Sequence, residues 1–133
     1  MNRTIAAVIA ALLAISGEAT EPWRRHNIVV DRNVQAKMRD GVTLYADVYR
    51  PADPGRYPAL LMRTPYNKAE SAGAFVIGAV KRGYVVALQD VRGQFASEGS
   101  FNPYLQEVND GHDTIEWLMH LPLRDLPVMK DFQ

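Results

Sequence analysis

Apolar and polar residues alternate in two neighbouring stretches of the chain. Val34, Ala36 and Met38 interleave with Asn33, Gln35 and Lys37; Val42, Leu44, Ala46 and Val48 interleave with Thr43, Tyr45, Asp47 and Tyr49. A period of two puts one residue type on each side of a pleated strand, so both stretches read as strands with one wet face. Arg39-Asp40-Gly41 separates them, and Asp-Gly is a strong hairpin turn because it tolerates positive φ. Asp40 is then most simply a turn residue and not a catalytic acid.

The pattern changes after the loop-forming run PADPGRYP at 51–58. Ala59 to Arg63 is an apolar strand that Thr64-Pro65 ends. Ser71 is a candidate helix cap, and Ala72 to Lys81 fits a helix of small residues with Phe75, Val76, Ala79 and Val80 clustered. Gly83 is a helix stop, since glycine takes positive φ without strain. Tyr84 to Leu88 then runs apolar without alternation, as a strand covered on both faces does. Strand, helix and strand within about thirty residues make a βαβ unit. Gln89-Asp90 and a polar loop to Gly99 follow, at the strand end where open α/β sheets place their chemistry. A last helix reads from Leu105 to Met119. Val108, His112, Ile115 and Met119 fall on the stripe expected to pack, with Glu107, Asp110 and Glu116 on the opposite side. His112 is read as packed and hydrogen-bonded, and His120 as a favourable charge at the helix end.

The beginning of the chain reads differently. Asn2-Arg3 precedes an apolar run from Thr4 to Ile15, and Ser16-Gly17-Glu18-Ala19 offers small residues for cleavage after Ala19. Residues 1–19 are therefore expected to be a signal peptide, with the mature protein secreted or periplasmic and without a stable membrane span. Residues 20–33 read as a polar linker in which His26 is solvent-exposed, and residues 34–120 as the folded part.

Composition narrows the chemistry. At 133 residues, 47% hydrophobic and 23% charged, the chain is one globular domain at most. It has no formal net charge, so nothing in it argues for a nucleic-acid partner. It has no cysteine, which excludes disulfides, zinc thiolate sites and a Cys nucleophile. No glycine-rich phosphate loop follows a strand, and the first parallel strand runs instead into Arg63-Thr64-Pro65-Tyr66-Asn67. No cofactor or metal is expected.

One ordered set of motifs resembles a known family. Met38-Arg39-Asp40-Gly41-Val42 with Leu44 comes first, followed by Asp47-Val48-Tyr49-Arg50-Pro51 and Arg63-Thr64-Pro65-Tyr66-Asn67-Lys68. Gly83-Tyr84, Gln89-Asp90-Val91-Arg92-Gly93 and Ser97-Glu98-Gly99 continue the set, and Asp113 to Leu118 closes it. In order and spacing these resemble the cocaine-esterase-type (CocE/NonD) serine hydrolases, relatives of X-Pro dipeptidyl peptidases and α-amino-acid ester hydrolases. The resemblance implies an α/β fold, the N-terminal part of an α/β hydrolase: an antiparallel hairpin, a βαβ unit and a further helix. It implies cleavage of ester or amide bonds in small molecules or short peptides by a Ser-His-Asp triad with an oxyanion hole. It assigns Tyr66 to that hole, as a phenolic donor on the loop after the third strand.

The same resemblance marks a departure. The family continues after the helix into a strand and a nucleophile elbow, whereas residues 121–133 hold Pro122 and Pro127 and no glycine. Ser16, Ser71, Ser97 and Ser100 are the serines, and none stands in G-x-S-x-G. The expectation is an N-terminal portion with a divergent tail at 121–133, lacking the catalytic Ser, Asp and His and inactive by itself. The alternative is a non-catalytic secreted binding module or a pseudogene product. Asp90, Arg92, Ser97 and Glu98 are read as braces of the loop and not as a triad.

Overall fold

The computed structural model describes residues 25–123. The expected signal peptide, the first five residues of the linker and most of the tail lie outside the described residues. Four strands, β1 (Ile28–Lys37), β2 (Thr43–Pro51), β3 (Ala59–Thr64) and β4 (Val85–Asp90), form one sheet in the order β1-β2-β4-β3. Helix α1 (Ala74–Lys81) joins β3 to β4, and α2 (Glu107–His120) follows β4. β1 and β2 form the antiparallel hairpin, β2 runs antiparallel to β4, and β3 lies parallel to β4 as a βαβ unit requires.

Apolar residues fill both faces of the sheet. Val86 and Leu88 of β4 meet Tyr49 of β2 and Val76 and Val80 of α1. Val85 and Ala87 point the other way, with Val48, toward Trp117 and Leu118 of α2. All six residues of β4 are buried, which explains its unbroken apolar run. The hairpin turns at Gly41 (φ 87), where the Val42 N–H donates to Asp40 Oδ1 over 3.2 Å.

Several sequence-based expectations need correction. β1 begins at Ile28, inside the stretch read as linker. His26 is not a solvated residue: its side chain is 19% exposed, sits 3.0 Å from Asp53 Oδ2 and meets the Tyr57 ring edge-on. Asp47 and Tyr49 do not line a wet face, because α1 and its approach cover that side of β2. Ser71 does not cap α1. The N-cap is Gly73, and the Ser71 hydroxyl donates to Asn67 O instead. Phe75 is 64% exposed, since the cluster at 76, 79 and 80 turns the other side of the helix inward.

The largest correction concerns α2. Val108, His112, Ile115 and Met119, expected to pack, are all exposed, while Asp110 and Thr114 are buried. Arg63 of β3 and Arg92 of the loop after β4 hold Glu107 and Asp110 and fix the rotation of the helix. His112 is accordingly a surface residue, 3.5 Å from an Arg39 nitrogen. His120 Nδ1 lies 2.8 Å from Glu116 O in the last turn.

β1 contains a bulge. Asp31 pairs with Val48 but Val34 pairs with Ala46, so one extra residue is accommodated, with Asn33 at φ 52. Ahead of it, Ile28 and Val30 pack on the α1 side; beyond it, Val34 and Ala36 pack on the α2 side.

Candidate active site

The carboxyl ends of the parallel strands β3 and β4 carry two loops that a single carboxylate joins. β3 ends at Thr64, whose carbonyl accepts the Val91 N–H from the end of β4 over 3.1 Å. Beyond it the Tyr66 N–H donates to Thr64 Oγ1 at 3.0 Å, and Asn67 takes φ 74. Asn67 is suited to that backbone because a short amide side chain can bond locally. Its Oδ1 accepts the Ala69 N–H at 3.1 Å. These contacts set Tyr66 at the surface with its side chain outward; the residue is 79% exposed.

Asp90, the last residue of β4, is fully buried. Its Oδ1 accepts the Lys68 N–H at 2.8 Å, and its Oδ2 lies 3.2 Å from Lys68 Nζ and 3.3 Å from the Ala96 N–H. Lys68 is itself buried and is 3.7 Å from Asp47 Oδ1. Asp47 in turn accepts from Arg32 Nη1 at 2.6 Å and from the Asn33 N–H at 3.0 Å. Burial draws the Arg32 guanidinium down, but hydrogen bonding to Asp47 and the charges of Tyr49 and Asp47 leave it raised overall. Two carboxylates and two cations therefore sit under the loop, a charge-balanced arrangement that buried ions require.

The loop after β4 is braced as the sequence suggested. The Ser97 hydroxyl donates to Asp90 O at 2.6 Å and accepts the Tyr45 N–H at 3.0 Å. The Thr43 N–H donates to Glu98 Oε2, and the Glu98 N–H returns to Thr43 O at 3.0 Å. The loop thus prolongs the sheet along the part of β2 that β4 does not reach. Arg92 is clamped between Asp110 and Asp40: Nη2 to Asp110 Oδ1 is 2.6 Å, and Nη1 to Asp40 Oδ2 is 2.8 Å. Hydrogen bonding to Asp110 raises the Arg92 guanidinium. Hydrogen bonding from Arg92 lowers the Asp40 carboxyl, so this turn residue also holds a brace.

A second polar cluster lies beneath α2. Arg63 donates to Gln89 Oε1 at 2.8 Å and pairs with Glu107. The Thr114 hydroxyl lies 2.6 Å from Asp110 O and 3.0 Å from Gln89 Oε1. On the outer side, Arg39 grips Asp113 with both side-chain and backbone N–H groups. The Arg39 side-chain hydrogen bond holds the Asp113 carboxyl down at about 2.

Among the described residues no serine is hydrogen-bonded to a histidine: Ser97 is committed to backbone groups, and Ser71 to Asn67. Among the described residues no group of three or more His, Asp or Glu side chains could hold a metal ion. No helix among them is long and apolar enough to cross a membrane. Sequence reasoning missed Lys68 as the partner of Asp90, and Asp47 and Arg32 behind it. Lys68 and Asp90 belong to separate motifs, and only the parallel pairing of β3 with β4 brings them together.

Residues 40–127 match the X-Pro dipeptidyl-peptidase (S15) family, two thirds of the chain. The chain belongs to this family. It is 42% identical over 98 residues to the cocaine esterase of Rhodococcus sp. (strain MB1 Bresler), a match spanning 70% of this chain and 17% of the esterase. Among solved structures, an α-amino acid ester hydrolase is similar with a TM-score of 0.61 at 25% identity, over 78% of this chain and 21% of that one. A CocE/NonD family hydrolase from Staphylococcus aureus is similar with a TM-score of 0.64 at 24% identity, over 71% of this chain and 21% of that one. The chain thus spans about a fifth of the length of these relatives, and its sheet is the N-terminal part of an α/β-hydrolase fold.

Proposed function

We propose that this chain carries the oxyanion-binding side of a serine hydrolase that cleaves ester or amide bonds, of acyl or X-Pro peptide type, in small molecules or short peptides. The observation that carries the reading is the placement of Tyr66. Its exposed ring stands on a loop bonded at Thr64, Asn67 and Lys68, at the carboxyl end of β3 and beside the end of β4. α/β hydrolases recruit one oxyanion donor from the loop at this point of the sheet. A phenolic O–H fixed there donates to the carbonyl oxygen as negative charge grows on it. A rigid loop supplies that donor without reorganisation during the reaction.

The covalent step needs a serine, a general base and its acid partner, and none of these roles falls to a residue of this chain. Tyr66 stabilises charge that a nucleophile has to create. The protein is exported, with cleavage after Ala19.

The test places this segment in one polypeptide with its nucleophile and replaces Tyr66 with Phe. Turnover of an aryl ester should fall by about 10²–10³ with KM changing less; unchanged kcat would retire the assignment. The purified 133-residue chain should turn over no aryl ester above background. Activity there, abolished by a serine-directed phosphonate, would mean that the nucleophile lies within it. A second reading, a non-catalytic secreted module, is favoured by the lack of any serine in G-x-S-x-G. It predicts no effect of Tyr66→Phe on any hydrolysis. Mass spectrometry of exported protein should find Thr20 at the N-terminus; a soluble product that keeps Met1 would contradict export.

A further inference from the structure

Two exposed aromatic residues stand on the two loops that Asp90 joins. Tyr66 lies two residues before Lys68, and Phe95 one residue before Ala96. Phe95 is 61% exposed and has φ 46, a left-handed backbone that a bulky side chain adopts only under constraint. Strained residues of this kind persist where surrounding contacts over-determine them, and they gather at functional sites. Here the constraint is visible. Ala96 N–H is held by Asp90 Oδ2, and Ser97 is tied to Asp90 O and Tyr45 N on its far side.

The other loop hangs from the same carboxylate through both the backbone N–H and the ammonium of Lys68. The ammonium of a residue only 5% exposed, between a carboxylate at 3.2 Å and another at 3.7 Å, is costly to desolvate and is retained only with all its partners in place. A surface loop that needed only to connect β3 to α1 would not require a buried ion pair, since local Asn and Ser contacts already fold it.

We infer that Asp90 and Lys68 are positioning residues: their buried clasp fixes the Tyr66 loop against the Phe95 loop, so that phenol and phenyl ring are presented as one rigid unit. Phe95 is then an apolar wall beside the carbonyl whose oxygen Tyr66 receives. The inference rests on the oxyanion reading of Tyr66. It adds that neither loop keeps its place when the carboxylate loses its charge.

Residue-resolved amide exchange on the purified 133-residue chain tests the clasp without any catalysis. In Asp90→Asn the Lys68 and Ala96 amides should exchange about 10- to 100-fold faster, as loss of a hydrogen bond to a charged acceptor implies, while Val86 and Leu88 keep their protection. Unchanged rates at Lys68 and Ala96, or an equal acceleration of all four amides, would overturn it. Should Asp90→Asn not fold, Lys68→Met reads the same coupling: removing the ammonium from one loop should speed exchange of Ala96 on the other, and an unmoved Ala96 would overturn the idea.

A kinetic arm separates this inference from its foundation. In the polypeptide joined to its nucleophile, Asp90→Asn should lower kcat at least about tenfold with little change in KM, and should add little to Tyr66→Phe because both act through one donor. If Tyr66→Phe lowers kcat and Asp90→Asn does not, the clasp fails alone. If Tyr66→Phe has no effect, the oxyanion reading falls and takes this inference with it.

Discussion

Replacing Arg92 with Met should loosen α2 from the sheet more than any surface change of equal size. The guanidinium donates to Asp110 from Nε at 2.9 Å and from Nη2 at 2.6 Å, and to Asp40 from Nη1 at 2.8 Å. The Asp40 side chain is 49% exposed and regains water when the arginine goes, so that half contributes little. Asp110 is 2% exposed and cannot. Removing one partner of a buried pair typically costs about 3–5 kcal/mol. Arg63 Nη2 stands 3.9 Å from the same carboxylate, where the attraction at an effective dielectric of 20 is about 4 kcal/mol. That attraction is already present in the parent, but it keeps Asp110 from being left alone and points to the lower end of the range. We expect a loss of about 3 kcal/mol, or a melting temperature lower by roughly 10–20 °C for a chain of this size. Urea unfolding followed by far-ultraviolet circular dichroism measures it. Pairing Arg92→Met with Asp110→Leu should recover at least about 1 kcal/mol relative to the sum of the single losses. An Arg92→Met loss within about 0.5 kcal/mol of zero, or strict additivity, would refute the reasoning.

Two further outcomes follow from the geometry. Asp113 is held at about 2, below its ordinary 3.8, so its contact with Arg39 contributes fully above that ordinary value and is lost as pH falls from near 4 toward 2. Carbon NMR of the Asp113 carboxyl should show the low midpoint, and Arg39→Met should return it toward 3.8; a midpoint unmoved by that change would assign the depression elsewhere. Gly93 has φ +71, and a Cβ there would come within 2.2 Å of Phe101 N and 2.6 Å of Ser100 C. Gly93→Ala should therefore cost at least about 1–3 kcal/mol in unfolding free energy, and a neutral effect would mean that the strap from 93 to 101 yields freely.

The sheet was legible in the sequence: alternation marked β2 as a strand and the unbroken run marked β4 as a strand covered on both faces, although β2 is covered at Asp47 and Tyr49 as well. The order of the motifs was legible too, and with it the position of Tyr66. The rotation of α2 was not. Its hydrophobic periodicity points to Val108, Ile115 and Met119, yet Arg63 from β3 and Arg92 from the loop after β4 draw Glu107 and Asp110 inward. Periodicity weighs burial of apolar area, and a helix whose buried side is acidic is read backwards whenever its counter-ions sit in another element. The Asp90–Lys68 clasp escaped for a similar reason, since its members are 22 residues apart and meet only across a parallel strand pair. Phe75 escaped because α1 is so uniformly apolar that either side could have been turned inward.

The bulge in β1 gives this one strand two loyalties. Even-numbered residues ahead of it serve the core under α1, and even-numbered residues beyond it serve the core under α2. Laid into a regular ladder, the same ten residues would have turned Ile28, Val30, Val34 and Ala36 to one layer only. The parity change stitches the layers together: a disturbance that frees Ile28 also pulls on Val34 through a backbone that Asp47 anchors at Asn33. It also sets where the chain tolerates a change of length. Deleting Gln35 from the regular part of the strand would turn Ala36 and Met38 to the other face, whereas deleting Arg32 or Asn33, or one residue of the exposed loop at 52–56, leaves both phases intact. The strand's phase, more than its sequence of residue types, is what the two halves of this small sheet share.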